Sequence, residues 1–200
     1  LHEVIRLSGM NIIIGDVDRP LVIKVASISS ARIQVYFIDN EDYFRRKQIS
    51  YDADGKFFED NGQRAIFFAR GVLETVKKLR WVPDVIHCQG WISHLVPLYL
   101  KKAYNGDPIF SGSRIVTSLY NEAAEEKLSP SLKDNVLFGG IKPADVSLLE
   151  EPTGINLAKT AALYSDGIIL GDKDVAPELV KFCEERSMPI PVSYTHLTLP

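Results

Sequence analysis

A histidine, a cysteine and a tryptophan stand close together in the run PDVIHCQGW, as His87, Cys88 and Trp91. A thiol beside an imidazole can act as a nucleophile, because the ring takes the thiol proton. A second cluster, Glu122, Glu125 and Glu126, offers carboxylates that could move protons in acid–base chemistry. Each has a plainer reading. DVIHC is an apolar strand run, and adjacent strand residues point to opposite faces, so His87 and Cys88 cannot share one small site. They read as a packed histidine and a small buried thiol at a strand end. His94 follows on the next helix and reads as packed or half exposed. Three glutamates in a polar loop read as solvated. Trp91 and Tyr120 fit two roles equally, an aromatic face for the C–H side of a sugar ring or plain core. The chain contains no GxxxxGK(S/T), GxGxxG or GxSxG pattern, so phosphate-loop, dinucleotide and hydrolase-elbow readings lack support.

These residues must be held by an alternation of strands and helices. LVIKVASIS and ARIQVYFID are β-branched runs joined by a short link near Ser29 and Ser30, which predicts neighbouring strands. GQRAIFFARGVLETVKKLR sets Ala65, Phe68, Ala69, Val72, Val76 and Leu79 at helical spacing, with Lys77 and Lys78 suiting the negative end of the dipole. DVIHC then predicts a buried strand of a parallel sheet. WISHLVPLYLKKAY predicts a helix that Pro97 bends or opens. RIVTSLY and GIILG predict further strands, and INLAKTAALYSD a helix. DVAPELVKFCEERS predicts a helix opened by Asp172 or Asp174, and PIPV a last short strand. Residues 121–154 form a long polar connection with short helical pieces. The expectation is an α/β, Rossmann-like fold with a mostly parallel sheet and helices on both faces.

In such sheets ligands bind beyond the carboxyl ends of the strands. Four clusters should therefore line one rim: Asp39-Asn40, Gln89-Gly90-Trp91, Tyr120-Asn121 and Gly171-Asp172. From these, Asn40, Gln89, Trp91, Tyr120, Asn121 and Asp172 are the candidate binding residues.

Composition narrows the function classes. The net charge of −3 and the shortness of Arg45-Arg46-Lys47 and Lys77-Lys78 argue against nucleic-acid binding. Cys88 and Cys183 are the two cysteines, far apart and without CxxC spacing. No disulfide framework, zinc site or other metal is expected, and no cofactor. No apolar run approaches the roughly 20 residues a membrane span needs, so a cytoplasmic setting is the expectation. The chain starts at Leu1 in mid-pattern, as a fragment would. Its last nine residues, VSYTHLTLP, resemble a translated library adaptor and are set aside as a non-native tail. The expected organisation is one domain over residues 1–191 followed by that tail, 192–200.

The ordered set VYFIDNEDYF, DNGQRAIFFARGVLE, PDVIHCQGW with LVPLYLKKAY, and LAKTAALYSDGIIL resembles the N-terminal half of bacterial glycogen and plant starch synthases, over roughly Arg32 to Gly171. Within that family it looks closest to a short Bacteroidetes-type branch. The resemblance implies half of a GT-B fold, in which two Rossmann-like domains face a cleft. It implies transfer of glucose from ADP-glucose to an α-1,4-glucan with retention, and so ADP-glucose and α-glucan as partners. Positive charge then builds at the anomeric carbon and negative charge on the departing diphosphate, and both need oriented groups. Family members read H-D-W where this chain has Gln89-Gly90-Trp91, and T-V-H-N where it has Ser118-Leu119-Tyr120-Asn121. An aspartate is thus replaced by Gly90 and a histidine by Tyr120, while Asn121 keeps the family identity. The lysine-glycine-glycine loop and the C-terminal domain, with its Arg/Lys pair for the diphosphate, are not in the sequence, so a separate C-terminal-domain partner is one implied possibility. Losing one oriented donor costs roughly 3 kcal/mol of transition-state stabilisation. The resemblance therefore implies an incomplete or weakly active synthase, or else a non-catalytic glucan- or sugar-nucleotide-binding module derived from one.

Overall fold

A computed structural model describes residues 3–190. The adaptor-like tail and the end of PIPV lie outside the described residues.

The strands fall into two three-stranded sheets rather than one. The first is antiparallel, in the order β1 (Val4–Ile14), β2 (Val17–Ile28), β3 (Ile33–Asp39). The linkers decide this. β1 and β2 meet through the two residues Gly15-Asp16, with Gly15 at φ +58° as tight hairpin turns require. β2 and β3 are joined by a single turn over Ser29–Ala31 that Arg32 closes in the left-handed region. Parallel pairing needs a crossover of about a dozen residues, so these strands can pair only antiparallel. The mostly parallel sheet expected from sequence is corrected here, and β1 is a strand that the sequence reading passed over.

The second sheet is parallel, in the order β4 (Val85–Gln89), β5 (Arg114–Leu119), β6 (Gly167–Leu170). α1 (Glu41–Phe44) and α2 (Asn61–Leu79) lead from β3 into this sheet, its crossovers carry α3 (Val96–Lys102), α4 (Leu132–Asn135) and α5 (Gly154–Leu163), and α6 (Pro177–Glu184) follows β6. β4 is not the buried strand expected. Among the described residues it pairs with β5 alone, so Val85 is 58% exposed and only Cys88 of the strand is buried.

α2 is the pillar between the sheets. Of the expected apolar stripe, Ala65 and Ala69 are buried, whereas Phe68, Val72, Val76 and Leu79 are half-buried. Ile66, Phe67 and Leu73 are buried as well, and so are Arg64 and Arg70. A helix held from several sides buries most of its circumference. Gly71 marks the closest approach, since a Cβ there would lie 2.9 Å from Ile38 on β3. Pro97 opens α3 at its first turn, one of the two placements expected. α6 likewise opens on Pro177 after an Ala176 cap that makes no side-chain bond. Asp172 and Asp174 therefore do not cap it. The Asp172 carboxylate instead accepts the Asp174 amide at 3.1 Å. Two core clusters result. The larger joins both sheets through α2, and a smaller one packs α6 against β6 and α5.

Candidate functional site

The carboxyl ends of β4, β5 and β6 lie side by side, in a register that sets Gln89 against Ser118 and Leu119 against Leu170. Three of the four predicted clusters follow from these ends. Asp39-Asn40 does not, because β3 belongs to the antiparallel sheet. Asn40 is buried, caps α1 by accepting the Tyr43 amide, and donates to the Pro20 carbonyl at 2.9 Å. Asp172 lines a separate hollow with Val175, Pro177 and Val180 of the α6 region.

At the β4 end the side chains divide as strand geometry demands. Cys88 is 3% exposed and faces inward, where burial pushes its thiol up to about 12 despite a hydrogen bond with Thr117. His87 faces the other way and is exposed rather than packed, which corrects the sequence reading. Its Nε2 lies 2.7 Å from Ser118 Oγ, and its Nδ1 lies 3.2 Å from Gln89 Nε2. This Ser–His–Gln chain lacks a carboxylate, and Ser118 is buried. It orders the strand ends rather than arming a nucleophile.

Gly90 turns the chain at φ +79° and ψ 147°, a conformation that side chains avoid. Trp91 then drops into the core at 6% exposure, tilted against Phe57 with ring centres 5.5 Å apart. Its indole N–H donates to Ser50 Oγ at 2.9 Å. That contact draws residues 47–52 across the strand ends. The same segment is held from α2, where Asn61 donates to the Ser50 carbonyl at 2.9 Å and Arg64 to the Ile49 carbonyl at 2.7 Å. Both anchors are buried, and burial lowers the pKa of the Arg64 guanidinium. The DNGQR stretch of the sequence thus has a task beyond helix formation.

Between residues 47–52 and Gly90-Trp91-Ile92 lies a cavity of about 580 Å³ whose remaining wall is Glu122. Burial raises the pKa of the Glu122 carboxyl above the ordinary range, and the nearby Trp91 backbone amide only partly offsets this. Its Oε1 is sealed from solvent without a hydrogen-bond partner. A Cβ on Gly90 would lie 3.8 Å from that oxygen. Sequence reasoning set Glu122 aside with Glu125 and Glu126 as solvated. Only the fold of the loop distinguishes it: Gly154 and Ile155 at the start of α5 donate to the Glu126 and Ala124 carbonyls at 2.9 and 3.2 Å, which pins residues 122–126 inward.

Tyr120 lies elsewhere on the rim, with its ring over the β6 end. A Cβ on Gly171 would come within 2.4 Å of the Tyr120 ring, so the glycine makes room for it. Asn121 is exposed. No group of three metal-ligating side chains occurs among the described residues, and no helix there is long and apolar enough to cross a membrane.

The starch synthase catalytic domain family matches residues 1–187. The chain belongs to that family. Relatives include glycogen synthase of Chlorobium limicola, 34% identical over 183 residues, covering 90% of this chain and 36% of the relative. Glycogen synthase of Chlorobium phaeobacteroides is 38% identical over 205 residues, covering 93% of this chain and 40% of the relative. The starch synthase catalytic domain described here thus spans between 36% and 40% of the length of these two relatives. Its fold is similar to that of the catalytic domain of starch synthase IV from Arabidopsis thaliana bound to ADP and acarbose, with a TM-score of 0.64, 16% identity, and coverage of 84% of this chain and 33% of that one.

Proposed function

We propose that this domain is the N-terminal half of a glycogen or starch synthase-type glycosyltransferase of the short Bacteroidetes-type branch. It moves glucose from ADP-glucose to the non-reducing end of an α-1,4-glucan with retention, across a cleft completed by a second Rossmann-like domain of a GT-B pair. The observation that carries the reading is the family match over residues 1–187, on a chain whose parallel strands end beside a cavity. The reaction needs oxygen dipoles near a developing positive anomeric carbon and cations near a departing diphosphate. This domain supplies the first kind through the Glu122 carboxylate. Its one cation at the cavity is Lys47 among the described residues, so most of the grip on the diphosphate falls to the second domain. Asn121 and Tyr120, beside Gly171, are proposed to meet the sugar nucleotide from the β5–β6 side.

A second reading, a non-catalytic glucan-binding module, is favoured by one feature: Gly90 and Tyr120 stand where the family resemblance calls for an aspartate and a histidine. The deciding experiment is transfer of labelled glucose from ADP-glucose to glycogen by the complete protein that carries this domain, with UDP-glucose in a parallel arm. Transfer from ADP-glucose is the expected result. Glycogen binding without transfer from either donor establishes the second reading instead.

A further inference from the structure

We infer that Arg64 is a positioning residue for the reaction: from within α2 it fixes the strap of residues 47–52 that walls the cavity at the strand ends. This role rests on the proposed glucan chemistry. Arg64 does not line the cavity itself.

The strap has little packing of its own to hold it. Lys47, Gln48, Ile49 and Tyr51 are exposed, and Ile49, its one aliphatic residue, is 80% exposed. Hydrophobic burial therefore does little to fix where the segment lies. Hydrogen bonds fix its middle instead. The Ile49 carbonyl accepts from Arg64 Nη1 at 2.7 Å, and the Ser50 carbonyl from Asn61 Nδ2 at 2.9 Å. Ser50 Oγ accepts from Trp91 Nε1 at 2.9 Å, and the Phe58 amide adds a bond to the Ser50 carbonyl at 3.1 Å. The three side-chain donors are all buried.

Arg64 is the costly member of that set. It is 3% exposed, and its Nε is sealed without a partner. The carboxylate one turn earlier, Asp60, is engaged by Arg46 at 2.8 Å. Arg64 donates instead to Asn61 Oδ1 at 2.6 Å and lies over the rings of Phe44 and Phe58, 5.5 Å from each centre. An apolar side chain of similar length would fill that space without burying a charge. What the arginine adds is its bond to the strap. A site that must be preorganised needs such a support behind the residues that face its ligand. Here the supported wall is long, since residues 47–52 line the cavity of about 580 Å³ opposite Gly90-Trp91-Ile92.

The test compares wild type, Arg64→Met and Arg64→Lys in the complete protein. Cys183→Ser, in the separate α6 core cluster, is the control for destabilisation alone. Met keeps the stem and removes the donor, whereas Lys keeps a charged donor. Release of the strap is read as the rate of tryptic cleavage after Lys47 under native conditions, which requires no activity. Function is read as kcat, as KM for glycogen and for ADP-glucose, and as maltopentaose affinity by calorimetry. Arg64→Met should be cleaved faster after Lys47, and its melting temperature should hold or rise because a buried charge is gone. One KM or the maltopentaose affinity should weaken about tenfold or more, within the roughly hundredfold that a misplacement of about 1 Å can cost. Arg64→Lys should fall between wild type and Met. Cys183→Ser should lower the melting temperature and leave KM unchanged. If the Met protein does not fold, Arg64→Lys carries the same comparison.

If wild type transfers glucose and the Arg64 variant leaves both KM values and the maltopentaose affinity unchanged, the inference is overturned and the proposed function stands. It is overturned equally if KM rises no more than in a Cys183→Ser protein that melts as low, because the role is then structural. If wild type transfers nothing yet binds maltopentaose, the synthase reading fails, and the affinity comparison alone upholds or overturns the positioning role. Absence of both transfer and binding in wild type overturns both.

Discussion

His94 shows what a single side chain can cost a fold. It is 3% exposed, both ring nitrogens lack partners, and burial lowers its pKa to about 4. The folded state therefore holds a neutral ring where the unfolded chain takes a proton near 6.5. The unfolded state binds more protons in the window between 6.5 and about 4, so stability falls as pH falls through it and is undiminished above it. The loss amounts to roughly 3 kcal/mol across the whole window. Urea melts at pH 7.5 and pH 5 should show a drop for wild type that is distinctly smaller in His94→Leu; equal drops would show that the proton goes elsewhere. The two thiols make a simpler case. Cys88 and Cys183 are buried, with burial pushing them to about 12 and about 11. Neither should react with a disulfide reagent at pH 8 until the protein is unfolded. Cys88→Ser should leave glucan binding unchanged and cost only stability, about 1 kcal/mol for a buried hydroxyl in place of a thiol. A selective loss of binding in the folded Ser variant would give Cys88 a role that its geometry denies.

The start of α5 is the element on which the Glu122 loop depends. Thr153 caps it by accepting the Asn156 amide at 3.2 Å, and the next amides hold the Ala124 and Glu126 carbonyls. The loop lies so close that a Cβ on Gly154 would sit 1.7 Å from the Ala123 carbonyl oxygen. No rotamer change relieves a clash with backbone. Gly154→Ala should therefore destabilise by about 3 kcal/mol, which lowers the melting temperature by about 6–12 °C in a domain of this size. Because the loop must retreat, maltopentaose binding should weaken more than stability alone explains. A variant that melts like wild type would show that the loop can move aside freely. α2 plays the matching part for residues 47–52 through Asn61 and Arg64.

The molecule as a whole is built on two sheets that share one core, and it is expected to unfold cooperatively. Ile12 and Leu21 of the antiparallel sheet and Ile115 of the parallel one belong to a single core cluster, joined by α2. Neither sheet has another apolar layer of that extent to rest on. The two tryptophans report on this directly, since Trp81 is 59% exposed and Trp91 is 6% exposed. In a Trp81→Phe variant, Trp91 fluorescence should report only the core beside the site. Its urea midpoint should coincide with that of far-ultraviolet circular dichroism. An earlier fluorescence midpoint would mean that the site region unfolds before the sheets.

The one-dimensional pattern of this chain determined its elements and its family. β-Branched runs, helical spacing, and proline and glycine punctuation act locally, so β4 to β6, α2 and α5 could be read without a fold. Ordered motifs such as DNGQRAIFFARGVLE carried the family resemblance for the same reason. Tertiary structure decided the rest, because sheet membership and burial are relations between distant residues. Asn40 left the expected rim once β3 joined an antiparallel sheet. His87 came out exposed because β4 pairs on one side among the described residues. Glu122, one of three similar letters in an acidic loop, became the half-buried wall of a cavity. A charge is solvated or sealed according to what folds over it, and here that is a segment seventy residues earlier in the chain and a helix thirty residues later.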